Sequence, residues 1–176
     1  MRRFCRVAGL AAALAVLAGA PAAAHVTLEA EKAPADSSYK AVLRVGHGCD
    51  GAATTRIRVQ IPLGVRQAKP MPKPGWELTT VIEKLPEPYD WYGTMITEEV
   101  REIAWSGGKL PDAFYDEFVF RARLPDEPGA VISFPVVQEC ETGVHRWIEI
   151  PEPGKSADDY AEPAPQLTLT PKPAGE

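Results

Sequence analysis

The sequence predicts an all-β fold, a single-domain β-sandwich of the immunoglobulin or cupredoxin type. Eighteen prolines among 176 residues count against a helical bundle, because proline breaks the interior of a helix. Short stretches that alternate apolar and polar residues recur along the chain, with proline and glycine between them. No stretch shows a helical period longer than two turns. Many short strands at this spacing are typical of a sandwich.

The strand predictions begin with two clear patterns. Residues 39–45 and 55–61 place apolar side chains at every second position, as in a half-buried strand. Further strands are predicted at 76–83, 100–105, 114–123, 130–138, 143–150 and 166–170. Residues 84–99 contain two prolines and three aromatic side chains, and we expect them to be the longest irregular segment. Such a loop either covers a site or closes one end of the sandwich.

The N-terminal residues predict export. Residues 1–24 combine three arginines, an apolar stretch at 7–20 and a run of alanines, which is the pattern of a cleaved signal peptide. Cleavage after Ala24 would make His25 the first residue of the mature protein. The alternative is cleavage after Ala22, which would leave two residues ahead of His25. No second apolar run of membrane length follows, so we expect a periplasmic protein without a membrane anchor.

The remaining chain divides into a domain and a tail. We expect the sandwich at 25–151 and a tail rich in proline and alanine at 152–176, loose except for one short strand. Loss of the signal peptide lowers the basic residues from 19 to 16 against 24 acidic ones, a net charge of -8. An acidic protein of this kind is a poor candidate for binding nucleic acid, which requires clustered Lys and Arg.

Two cysteines remain after processing, Cys49 and Cys140. An even number in an oxidising compartment favours one disulfide, with free or metal-binding thiols as the alternative. His47 and His145 lie close in sequence to these cysteines. If the disulfide forms, we expect the two histidines to approach each other. They would then be either a second metal site or two surface histidines.

An N-terminal His25 would offer two nitrogen ligands from one residue, the α-amine and the imidazole Nδ1. The two can close a chelate ring, and Cu(II) favours nitrogen donors in a tetragonal arrangement. Glu29 would point to the same face of an extended segment, where its carboxylate would either join the metal site or be a solvated acid at a strand edge. Alternation over 143–150 places His145, Trp147 and Glu149 on one face. Trp147 would either shield a metal or belong to the core.

Motifs of enzymes are absent from the sequence. There is no GxSxG, HExxH, P-loop or GxGxxG pattern, and the cysteines do not form CxxC. Adjacent acidic residues, such as Glu98 and Glu99, would face opposite ways in a strand. We therefore expect a protein that is not an enzyme.

The sequence resembles the YcnI-like family, domain of unknown function 1775, over nearly all of residues 25–151. The matching segments are HVTLE at 25–29, VQIPLGV at 59–65, PKPGWE at 72–77, IAWSGG at 103–108, YDEF at 115–118, LPDEPG at 124–129, FPVVQ at 134–138 and HRWIE at 145–149. The resemblance implies a β-sandwich that binds Cu(II) through a monohistidine brace. By this resemblance His25 would supply both nitrogens, and Trp147 would lie beside the copper. Glu29 is our preferred carboxylate at the metal, with Glu149 in reserve.

Three functions follow as hypotheses. The first is a periplasmic Cu(II) metallochaperone or buffer, which hands metal to another copper chaperone or an oxidase. The second is a copper oxidase or monooxygenase, which would need His47 or His145 as a second histidine at the metal. The third is a metal-free binding module that displays residues 84–99 to a protein partner.

Overall fold

The structure is a computed structural model that describes residues 25–152 and 154–173. The predicted signal peptide lies outside the described residues. Within them the chain forms twelve strands and one short 3-10 turn, Ala157–Asp159. The strands are β1 Thr27–Leu28, β2 Lys32–Pro34, β3 Ser38–Val45, β4 Thr54–Gln60, β5 Arg66–Pro70, β6 Glu77–Trp91, β7 Thr94–Leu110, β8 Asp116–Arg123, β9 Val131–Ser133, β10 Val136–Cys140, β11 Val144–Trp147 and β12 Gln166–Thr170.

The strands form two main sheets and one small one. The first has the order β1-β3-β8-β5 and the second has the order β11-β10-β4-β7-β6. β12 pairs parallel with β2 and antiparallel with β9 in the third sheet. The predicted all-β class is confirmed. The strands β1, β2 and β5 were not predicted, because β1 and β2 are only two and three residues long and β5 (RQAKP) has no alternating large apolar residues.

The hydrophobic core lies between the two main sheets. The alternation predicted for β3 and β4 is present, because their apolar side chains are buried on one face. Among the fully buried residues, the largest in the first sheet are Leu43, Phe118 and Phe120, and the largest in the second are Ile57, Ile103 and Trp105. The core continues to the β11 edge of the second sheet, where Trp147 is also buried. This edge carries the candidate site.

The segment 84–99 is not an irregular loop, and that prediction was wrong. Strands β6 and β7 continue through it as one long hairpin, with a two-residue turn at Tyr92 and Gly93. Both turn residues have positive φ (50° and 85°), which matches the right-handed twist of a hairpin. Pro86 and Pro88 suggested a break, yet β6 is an edge strand whose register shifts between Lys84 and Tyr89. Edges and bulges are where a sheet accepts proline.

The C-terminal segment is part of the folded unit. β12 lies at the predicted position, and its Leu167 and Leu169 are buried in the core. Upstream of it, Ala164 N–H donates to the carbonyl of Glu149 at 2.8 Å. The boundary that we expected at residue 151 therefore falls inside the packed structure. The proline and alanine content of residues 152–176 suggested a loose tail, but residues 163–165 are buried.

Leu169→Ala should lower the free energy of unfolding by about 2–5 kcal/mol, because it opens a cavity in a packed core. The Leu169 side chain is 1% exposed. Leu63→Ala is the matched control, since Leu63 is 67% exposed and should change stability little. Urea denaturation of the two variants measures this difference. Equal, small effects would mean that the C-terminal strand is not packed as described.

Candidate metal centre

The candidate site lies at one edge of the sandwich. β1 is an edge strand of the first main sheet there, and β11 is an edge strand of the second. Register places Trp147 opposite Val136 of β10, so its side chain points toward the core. The indole is 3% exposed. The ring of His25, two residues before β1, lies 5.3 Å from the Trp147 ring between centroids. This contact joins the two sheets at their shared edge.

All three histidines of the chain contact Trp147. His145 stacks on the indole, with 4.9 Å between ring centroids and 29° between planes. His47 approaches it edge-on at 6.4 Å, and the rings of His47 and His145 are 5.9 Å apart. The predicted shared face of His145 and Trp147 is confirmed, as is the approach of His47 to His145. Three imidazoles around one buried indole form the chemically distinctive feature of this edge.

Gln138 holds Trp147 in place. This buried amide accepts a hydrogen bond from Trp147 Nε1–H at 3.0 Å. Its Nε2 donates to the carbonyl of His47 at 2.7 Å and to Thr54 Oγ1 at 2.8 Å. One side chain on β10 therefore fixes both the indole and the backbone of the His47 loop. Nothing in the sequence distinguished Gln138 from any other polar residue of a strand, and its role was not predicted.

The disulfide fixes the His47 loop to β10. Cys49 and Cys140 are bonded, which confirms the predicted pair and closes a loop with a sequence separation of 91. The loop folds tightly at Gly48, where a Cβ would lie 1.8 Å from the carbonyl oxygen of Ala52. Gly48 N–H also donates to Asp112 Oδ1 at 2.9 Å. Only glycine fits this approach, so the position of His47 is set by backbone packing as well as by the disulfide.

The C-terminal segment reaches the site through Glu162. Its Oε1 lies 2.7 Å from His145 Nδ1, and its Oε2 accepts from the backbone N–H of Arg146 at 3.0 Å. Glu149, the reserve carboxylate, accepts from the backbone N–H of Glu162 at 2.6 Å. Glu162 was missed because it was assigned to a loose tail. Only the return of that segment to β11 brings it near His145.

A cavity of about 280 Å³ opens beside His25. Its acidic lining residues are Glu31 and Asp158, the latter from the 3-10 turn of the C-terminal segment. Glu29, our preferred carboxylate, does not line it; its Oε1 lies 3.4 Å from Nη2 of Arg44. The structure thus brings His25 and Trp147 together and directs Glu29 toward a neighbouring strand. A role for Glu29 at a metal stays a prediction.

The donor set suits a copper ion in type, although not as a complete protein cage. Imidazole nitrogens and carboxylate oxygens are ligands that Cu(II) accepts. Across residues 25–152 and 154–173, no group of three or more His, Cys, Asp or Glu side chains is arranged to hold a metal. A second nitrogen from the α-amine of a processed His25 would add the missing donor next to the imidazole.

Tyr39 holds the segment that carries the cavity's Glu31. Its hydroxyl donates to the carbonyl of Ala30 at 2.6 Å. Burial, and then the negative charges of Glu29 and Glu31, raise the pKa of the Tyr39 phenol to about 12. The neutral phenol is therefore the form that the folded protein prefers.

Fold and edge together define a disulfide-linked immunoglobulin-like sandwich with a histidine-rich site at one edge. The family described as "Domain of unknown function (DUF1775)" matches residues 25–169. The chain belongs to this family, which confirms the resemblance found in the sequence. The match extends into β12 as far as residue 169, in agreement with the packing of the C-terminal segment.

One solved structure supports the same fold. It is described as an uncharacterized protein from Nocardia farcinica that reveals an immunoglobulin-like fold. The two chains are 27% identical, with a TM-score of 0.61. The alignment covers 83% of this chain and 98% of the other. A search of curated proteins found no match.

No helix in the described part of the chain is long and apolar enough to cross a membrane. The disulfide is consistent with an extracytoplasmic protein, because such bonds persist in oxidising compartments.

Gln138→Leu should lower the free energy of unfolding by roughly 2–4 kcal/mol, because it leaves the indole N–H and the His47 carbonyl without their partner. The indole N–H of Trp147 should also exchange faster with solvent deuterium. Urea denaturation and NMR measure the two effects. Gln166→Leu is the control, since the Gln166 amide makes one longer bond of 3.3 Å to Ser133 Oγ. Equal effects of the two substitutions would contradict the anchoring role of Gln138.

Alkaline pH should destabilise the protein through Tyr39. The pKa of its phenol is near 10 in the unfolded chain and about 12 when folded. The stabilising contribution is thus fully present below pH 10 and is lost as pH rises toward 12. Absorbance titration at the phenolate band should show that Tyr39→Phe removes one phenol from the late-titrating part of the curve. Loss of a phenol that titrates near pH 10 instead would contradict this assignment.

Proposed function

We propose that the processed protein, beginning at His25, binds Cu(II) outside the cytoplasm and carries or buffers it. The observation that supports this most directly is the contact between the His25 ring and the buried Trp147 ring. This contact supports a chelate at His25 because the imidazole that would take part in it lies against an indole held by Gln138. The rigid, apolar indole of Trp147 would shield one side of a metal ion that is bound by the two nitrogens of His25.

The chemistry rests on the first residue of the mature chain. The α-amine has a pKa near about 8, so a metal ion displaces its proton at neutral pH. The amine nitrogen and the imidazole Nδ1 of His25 would then bind the same ion and close a small chelate ring with it. Trp147 excludes water from one side, and its π face attracts a cation. The cavity beside His25 would leave a bound ion accessible for exchange.

An oxygen donor would complete the coordination. Glu31 and Asp158 line the cavity beside His25 and are our proposed donors, singly or through water. Glu29 is the alternative predicted from the sequence, but it would have to leave its ion pair with Arg44. Glu149 would have to release the backbone N–H of Glu162.

A carrier or buffer fits this arrangement better than an enzyme. Few protein ligands and an open cavity favour transfer of the ion to another protein, such as a periplasmic copper chaperone or an oxidase. The disulfide and the predicted signal peptide support a periplasmic location. Copper is thus the cargo in this proposal, and we expect no catalytic turnover.

The test compares Cu(II) binding by the protein that starts at His25 with a form carrying one extra N-terminal glycine. We expect tight binding at the N-terminus that the added residue weakens at least 100-fold, because the amine leaves the chelate. Calorimetry gives the affinity, and electron paramagnetic resonance reports nitrogen ligation of the ion. Equal binding by both forms would refute the brace. Absence of binding by either would favour a metal-free module.

Single substitutions then identify the oxygen donor. Glu31→Gln and Asp158→Asn are compared with Glu29→Gln, which serves as the matched control. A loss confined to Glu29→Gln would restore the prediction from the sequence and contradict our reassignment to the cavity.

A further inference from the structure

We propose that His47 and His145 bind one copper or zinc ion through their Nε2 atoms, at a site separate from the His25 amine. The proposal does not depend on the brace, because neither ring belongs to the N-terminal residue. Both rings lie against Trp147, and their centroids are 5.9 Å apart.

The hydrogen bond between His145 and Glu162 determines which ring nitrogen of His145 could bind a metal. Nδ1 lies 2.7 Å from Glu162 Oε1, and a carboxylate accepts hydrogen bonds. The proton is therefore on Nδ1, which leaves the lone pair of a neutral ring on Nε2. A metal-binding histidine commonly donates its other N–H to a carboxylate in this way, which orients the ring and makes it a better ligand. Glu162 is itself held by the backbone N–H of Arg146.

His47 shows the same arrangement with a different acceptor. Its Nδ1 is hydrogen-bonded to the carbonyl oxygen of Gly48, which accepts and cannot donate. The neutral ring therefore also carries its lone pair on Nε2. Backbone carbonyls are the second common partner of metal-binding histidines. On both rings, Nε2 is therefore the nitrogen that we propose as the metal ligand.

The spacing of the two rings fits one bound ion. With metal–nitrogen distances of about 2.0–2.1 Å, two imidazoles on one ion have centroids roughly 4.5–6.4 Å apart, depending on the angle at the metal. The observed 5.9 Å lies in this range. The planes are 82° apart, so the rings do not stack on each other.

The rings are held by the protein before any metal binds. The disulfide and the Gln138 bond to the His47 carbonyl fix the His47 loop, whereas stacking on Trp147 and Glu162 fix His145. Such preorganisation favours binding, because little side-chain freedom is lost. The described residues supply no third His, Cys, Asp or Glu in position, so other ligands would be water. The site should be weaker than a full protein cage.

The experiment titrates Cu(II), and separately Zn(II), into the mature protein and its glycine-extended form. We expect two Cu(II) equivalents in the mature protein, of which the extension removes only the tighter one. His47→Gln, His145→Gln and the double variant should each remove the other equivalent and keep the tighter one. Retained near-ultraviolet circular dichroism shows that each variant is folded. Calorimetry counts the sites, and NMR follows the imidazole signals of the two rings as Zn(II) is added.

Glu162→Gln provides a graded test that keeps both ligands. Loss of the carboxylate should weaken the second equivalent about 10–100-fold. Glu152→Gln is the control, since Glu152 pairs with Lys155 at the surface. A single equivalent in the mature protein, or a second one that survives the double histidine variant, would overturn the proposal. Loss of both equivalents on glycine extension would show that the two sites are one.

Discussion

The hydrogen bond from the Trp147 indole to Gln138 is the interaction on which this edge of the protein depends. A buried amide must satisfy both its donors and its acceptor, because an unpaired polar group in a core is costly. Gln138 does so with the indole, the His47 carbonyl and Thr54. The requirement that fixes Gln138 therefore also fixes the position of Trp147 and of the loop that bears His47.

The C-terminal segment completes the edge from the other side. Without it, β1 and β11 would expose the margins of two sheets, and unpaired edges invite unwanted strand pairing. Residues 162–164 bond to Glu149 next to β11, while β12 pairs with β2 beyond β1. The same segment contributes Glu162 to His145 and Asp158 to the cavity of His25. The C-terminal segment therefore both covers the edges of the sheets and contributes residues to the candidate site.

Local pattern sufficed for much of the fold but for less of the site. The alternation of apolar residues in β3, β4 and β12 depends only on neighbours in sequence, so these strands could be recognised from the sequence. The even number of cysteines after processing, with the oxidising compartment expected from the signal peptide, was enough to predict the disulfide. The β6–β7 hairpin could not, because whether Pro86 breaks a strand depends on its being at an edge. His25 and Trp147 were recognisable as chemistry-bearing residues. Gln138, Glu162 and Asp158 were not, because their roles arise only when distant segments meet.

If the protein binds a metal as proposed, the sequence separation of the residues at this edge affects when the metal can be loaded. The edge is assembled from residues near both ends of the described chain: His25 precedes the first strand, and Glu162 and the last strand come more than a hundred residues later. If the chain is exported N-terminus first, as the proposed function implies, His25 would emerge before Trp147 and the lining of the cavity. Contacts this far apart in sequence form late in folding. An ion that binds the finished edge therefore discriminates between completed and partly translocated molecules.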